Sequence, residues 1–173
     1  MNMIWFFYFY SFLGFLLEVV YARVMGLSKP DRKCRLLLPI CPVYGIGATA
    51  IVSLPFALQR NAVVLFFLGA ILATGTEYLC GWFYERVWGV KFWEYSALPG
   101  NLQGRVCLPF ALIWGTLALP LCYVVQPLVV KSVASLPNML LLPVTMIFLV
   151  DFVLTGRLLR RRKNTDALRW YQV

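Results

Sequence analysis

The chain has 173 residues, of which 61% are hydrophobic, 16% aromatic and only 13% charged, a balance outside the soluble globular range. Sixteen Lys and Arg against seven Asp and Glu give a formal net charge of +9, and there is no histidine. The composition excludes chemistry built on a His base or His metal ligand, and the lack of a G-x-x-x-x-G-K-[ST] loop excludes a P-loop ATPase within this chain.

The apolar runs predict an all-α fold: one polytopic integral membrane helical bundle over 1–173, with about five transmembrane helices near 3–25, 37–58, 62–84, 106–126 and 138–156 and a basic tail at 157–173. The first run lacks the basic n-region and small-residue cleavage pattern of a signal peptide and is expected to be retained. Ser11, Gly14, Glu18 and Tyr21 recur in it at steps of three and four, which puts an acid on a small, polar face. The connection "GLSKPDRKCRL" (26–36) is basic and turn-rich, with Pro30 and Asp31. In the second run Gly45, Thr49 and Ser53 form a stripe of small residues. In the third, Gly69, Ala73, Glu77 and Gly81 follow at i+4 steps, so Glu77 faces protein where another helix can come close. The following segment, "WGVKFWEYSALPGNLQGR" (88–105), interleaves aromatics with polar residues and glycines, which suits an aromatic-rich interfacial or re-entrant loop. The last run carries Asp151, with Thr155 one turn on.

Charge position sets an expected topology. Arg23, Lys29, Arg32, Lys33, Arg35, Arg86, Lys91, Arg105, Arg157, Arg160, Arg161, Arg162, Lys163 and Arg169 fall on one side, leaving Arg60 and Lys131 on the other. The positive-inside rule then makes the chain a multi-pass cell-membrane protein with its N-terminus outside and its C-terminus cytoplasmic. The basic excess reads as a topology signal and an attraction to the lipid bilayer, with no nucleic acid as partner. Cys34, Cys41, Cys80, Cys107 and Cys122 show no C-x-x-C spacing and are expected as reduced thiols, with no metal site and no cofactor. No long internal repeat is visible, so any symmetry must come from a homo-oligomer or a membrane partner.

An acid near the bilayer centre costs about 2.5 to 3.5 kcal/mol. Glu18, Glu77 and Asp151 all fall in the cytoplasmic halves of their spans, and Arg105 and Arg35 are the cations best placed to meet them. Two readings stand: an ion pair of Glu18 or Glu77 with Arg105 that fixes packing, or a polar cavity for a headgroup or solute. The expected cavity residues are Glu18, Tyr21, Glu77, Trp93, Tyr95, Asn101 and Arg105, with Tyr44, Glu85 and Asp151 secondary. Asp151 is also expected to meet Arg157 or Arg160 at the interface.

Four strings, "YSFLGFLLEVVY" (10–21), "PICPVYGIGA" (39–48), "ATGTEYLCGWFYERVWGVKFWEYS" (73–96) and "GNLQGRVCLPFALIWG" (100–115), resemble in order the motifs of the ABC-transporter permease family called type IV, or CmpB-like. The motif positions are Glu18 and Tyr21; Pro42, Tyr44 and Gly45; Glu77, Tyr78, Gly81, Glu85, Trp93, Tyr95 and Ser96; and Asn101, Gly104, Arg105 and Trp114. The chain departs from the pattern at Lys33 and Cys34, where the family tends to an Arg-Gly pair, and at Leu38, where it tends to Gly. The resemblance implies a small bacterial inner-membrane transport subunit, energised by a separate ATPase subunit and not itself an enzyme. Two other classes stand beside it. One is a stand-alone membrane protein that binds or regulates through a lipid or peptide. The other is an interfacial lipid-modifying enzyme with Glu77 or Glu18 as base and Arg105 with Asn101 holding an anion.

Overall fold

The computed structural model of the chain describes residues 2–27 and 33–169. Lys29, Pro30, Asp31 and Arg32 of the basic connection lie outside the described residues. Among those described there is no strand, only an isolated bridge between Leu102 and Val106. Four helical stretches are long and apolar enough to cross a membrane: Met3–Val24, Ala62–Trp88, Leu108–Ala134 and Asn138–Arg162. The shortest has 22 residues, about 33 Å at the α-helical rise, against a hydrocarbon thickness of about 30 Å. Leu, Ile, Val and Phe side chains stay exposed along the outward faces of these helices, as lipid rather than water requires.

The elements are α1 (Asn2–Val24), α2 (Pro42–Val52), α3 (Phe56–Gln59), α4 (Ala62–Phe83), α5 (Leu108–Pro120), α6 (Gln126–Ala134) and α7 (Leu141–Arg162). A π-helical turn, Tyr84–Trp88, prolongs α4, and another, Leu121–Val125, joins α5 to α6. The second wide turn follows Pro120, which has no N–H to give the regular ladder. The third, fourth and fifth expected spans therefore each run past their expected ends. The largest packed pairs are α4 with α5 and α1 with α2. Bare glycines permit this: a Cβ at Gly45 would come within 2.6 Å of the Phe7 carbonyl oxygen, and one at Gly115 within 2.8 Å of that of Phe66.

The second expected span, 37–58, is not one helix. Pro39 and Pro42 keep the residues before them out of the α region, so the helix starts only at Pro42, and Pro55 ends it by doing the same to Leu54. What remains, α2, has 11 residues, about 16 Å long. The chain before it, 33–41, is non-helical, with Arg35, Ile40 and Cys41 buried and Leu37 and Pro39 exposed.

Such backbone needs partners, and the last helix supplies them. The Leu37 N–H donates to Asp151 Oδ1 at 2.8 Å and the Leu36 N–H to Thr155 Oγ1 at 3.0 Å. Deeper in, the Cys41 N–H donates to the Ser11 carbonyl at 2.8 Å. Asp151 and Thr155 are both fully buried. This corrects the expectation that Asp151 meets Arg157 or Arg160: it points inward, and Arg160 instead donates to the Val87 carbonyl at 2.7 Å. Arg35, 2% exposed, lies among the rings of Phe152, Trp88 and Phe148, with its guanidinium carbon 4.8, 5.3 and 5.3 Å from their centroids. Asp151 is close enough to act on it electrostatically.

The same stretch overturns the reduced-thiol expectation for one pair. Cys34 and Cys41 are disulfide-bonded, with Cα atoms 5.6 Å apart. The turn in which the Ile40 N–H returns to the Leu38 carbonyl shortens the path between them. Cys80, Cys107 and Cys122 are free.

The segment after α4 folds into a compact loop over 89–107. Gly89, Gly100 and Gly104 take left-handed backbone conformations, and the Tyr95 N–H reaches the Gly104 carbonyl at 2.8 Å. Trp93 Nε1 donates to the Arg105 carbonyl at 2.8 Å.

Replacing Asp151 by Ala strands the Leu37 N–H in the bundle, and is expected to lower stability by about 1 to 3 kcal/mol in a detergent unfolding titration. Asp151→Asn keeps an acceptor and is expected to recover most of that loss.

Candidate functional site

A cavity of about 460 Å³ lies between α1, α2, α4 and α5, with side chains of the 89–107 loop at its edge. Its walls are mostly apolar, from Leu13, Leu17, Val43, Ile51, Leu117, Leu121 and Val125, and two carboxylates, Glu18 and Glu77, break them.

Each carboxylate is placed by a local feature of the chain. On α1, Gly14 leaves room for the Tyr44 ring, because a Cβ there would overlap it. Tyr44 thus lies across α1 and its hydroxyl donates to Glu18 Oε1 at 2.5 Å, one helical turn beyond Gly14. On α4, Glu77 is 6% exposed. The Tyr95 hydroxyl donates to its Oε1 at 2.9 Å and Trp114 Nε1 to its Oε2 at 3.0 Å. The Tyr44 and Trp114 rings meet edge to face at 5.6 Å, linking the two acids across the cavity. Tyr95 stacks on Phe110 at 4.7 Å, which aims its phenol inward. Burial, and then the neighbouring Glu77 carboxylate, push the Tyr95 hydroxyl well above the usual phenol range, so it stays a protonated donor.

Of the expected site residues, Glu18, Glu77, Tyr44, Trp93 and Tyr95 line this cavity; Tyr21, Glu85, Asn101, Arg105 and Asp151 do not. Tyr21 is 42% exposed: it shares the face of Glu18 but lies nearly a turn further along α1, past Glu18, the last residue of that helix to line the cavity. Asn101 braces the loop: its amide donates to the Ser96 and Leu98 carbonyls and its Oδ1 accepts from the Gly104 N–H. Asp151 holds the non-helical stretch described above.

Neither of the two readings places Arg105 where the structure does: it pairs with Glu85, through Nη2 at 2.6 Å and Nε at 3.1 Å, and not with Glu77 or Glu18 across the cavity. Its Nη1 reaches the Tyr78 hydroxyl at 3.3 Å and also Gln103. The cause is the stripe itself. Glu77, Gly81 and Glu85 lie at successive turns, and a Cβ at Gly81 would touch the Arg105 stem at 3.5 Å. The stem therefore lies across the middle turn, and the guanidinium reaches the outer acid. Among the described residues that line the cavity there is no basic side chain. On the outer side of the loop, Lys91 and Ser96 hydrogen-bond Glu94 and hold its carboxyl down to about 2.

Sequence reasoning did not assign Trp114 to the site, although it stands in the fourth string. The available signal was its indole N–H, which seeks an acceptor when buried. The small cavity residues Gly47, Ala48 and Ala73 carry no signal of their own, since small residues at helical spacing serve packing as often as cavities.

The model of the family described as "Putative ABC-transporter type IV" matches residues 5–156, and the chain belongs to that family. No curated protein and no solved structure matches it.

Two outcomes follow from this geometry. In double-mutant cycles read by detergent unfolding, Glu85→Gln with Arg105→Gln is expected to be non-additive by about 1 kcal/mol, and Glu77→Gln with Arg105→Gln additive. In an infrared pH titration, the carboxylate band lost in Glu94→Gln is expected to persist below the ordinary value of 4.5 and vanish only near pH 2. The sign is that of a depressed acid: the loop contact is fully present above the ordinary carboxyl pKa and is lost as pH falls through about 2.

Proposed function

We propose that this chain is the membrane-embedded, permease-like subunit of a transport assembly, with the Glu18–Glu77 cavity as its solute site and a separate ATPase subunit as its energy source. The observation that carries the reading is the cavity itself: within a multi-pass helical bundle it holds the Glu77 carboxylate between two neutral donors, Tyr95 and Trp114, with Glu18 also in its lining. Intramembrane acids are costly, and a bundle that only needed packing would pair them with cations or omit them.

Counting 33–53 as one passage, part extended and part helix, the chain crosses five times. The N-terminus is then outside and the C-terminus cytoplasmic, with the expected cytoplasmic loops and tail carrying the basic charge. Arg160 binding the Val87 carbonyl, and Lys163 lying beside Gly89, join the tail to the end of α4. That gives a basic cytoplasmic surface for an ATPase subunit and for anionic headgroups. One five-passage bundle makes a narrow transport path, so a second copy or another membrane subunit completes it.

Native mass spectrometry of the protein, gently extracted from its own membrane, tests this. The expected result is a complex that retains an ATPase subunit. Recovery only as a lone chain or homo-oligomer, with no stimulated ATP hydrolysis on reconstitution with candidate ATPases, would overturn it.

A further inference from the structure

We infer that the cavity takes a small organic cation with an apolar body, bound with its positive charge beside Glu77. The inference rests on the cavity being a solute site, as proposed above, and names the class of solute.

Three observations carry it. First, charge complementarity is one-sided. Among the described residues Glu77 is met by the phenol of Tyr95 and the indole of Trp114, both neutral, while Arg105 is committed to Glu85 outside the cavity. A zwitterion or an anion finds no basic partner among the described residues of these walls. Second, the two donors occupy one site on each Glu77 oxygen, and an ionised carboxylate has about four in all. Glu77 can therefore receive a ligand cation without breaking the contacts that aim it. Third, the rest of the lining is aliphatic or aromatic, with the rings of Tyr44, Tyr95 and Trp114 close to the acids. Aromatic faces attract organic cations, and aliphatic walls take their hydrocarbon. A volume of about 460 Å³ lies within the range of about 300 to 1,000 Å³ typical of sites for drug-sized molecules, which favours a small molecule over a whole phospholipid.

The test uses two probes of matched shape and opposite charge, tetraphenylphosphonium and tetraphenylborate, each radiolabelled. Saturable binding is measured to the full chain in phosphatidylcholine nanodiscs, in excess of empty discs. Tetraphenylphosphonium is expected to bind saturably and tetraphenylborate not. Glu77→Gln is expected to weaken phosphonium binding by about tenfold or more, as loss of a close charge contact does, and Glu94→Gln on the loop exterior to leave it unchanged. Should Glu77→Gln fail to fold, Gly47→Leu keeps both acids and fills the cavity. A Cβ at Gly47 meets nothing closer than 3.8 Å, so the backbone tolerates it, and the leucine is expected to abolish binding. Equal binding of both probes, or phosphonium binding unmoved by Glu77→Gln and Gly47→Leu, would overturn the inference. Neither measurement involves an ATPase, so losing the cation class leaves the subunit reading to its own test, and the converse holds.

Discussion

Inside a bilayer an unsatisfied backbone N–H has no water to turn to, and this constraint governs how the chain can break its second passage. Pro39 and Pro42 forbid a continuous helix there, so 33–41 must cross part of the bundle as irregular chain. Asp151 and Thr155 on α7, and the Ser11 carbonyl on α1, accept the N–H groups this leaves. The position of α2 depends on that anchorage. From it follow the seat of Tyr44 over Gly14, the hold on Glu18 and one wall of the cavity.

The acids of the membrane region divide by environment. Asp151 is buried and serves backbone, apart from the residues that line the cavity; Glu85 is neutralised by Arg105 near the end of α4. Glu77 and Glu18 face a common space and are held by phenol and indole donors. The carboxylate group thus does three jobs, and the neighbours supplied by other segments decide which. The same logic separates two arginines: the half-buried Arg105 is bound by a carboxylate, whereas the buried Arg35 is surrounded by aromatic faces.

Much of the architecture was legible from residues alone. The apolar runs predicted the all-helical membrane bundle, because lipid permits few alternatives, and the i+4 spacing of Gly69, Ala73, Glu77 and Gly81 correctly turned Glu77 toward protein. Aromatics and glycines in 88–105 marked a loop with its own structure. The second span was misread as a full helix because hydropathy registers apolarity and not backbone hydrogen bonding; the prolines were the contrary signal. The Glu77–Arg105 pair failed for a finer reason. Arg105 had two acids two turns apart to choose from, and only packing across Gly81 selects between them. The Cys34–Cys41 bond was equally out of reach, since nothing in a separation of seven residues announces a chain folded back on itself.

What the sequence by itself determined is therefore local and periodic: which segments are apolar enough to lie in lipid, which face of each helix is small or acidic, where prolines stop a helix. These depend on neighbours three or four residues away and on transfer from water to hydrocarbon. Only the tertiary structure decided which donors meet Glu77, which acid takes Arg105, and that Asp151 serves the backbone of a segment more than a hundred residues away. Those outcomes depend on how side chains from distant segments share a few ångströms of packed space, and a difference of two helical turns between partners leaves no trace in the order of the residues.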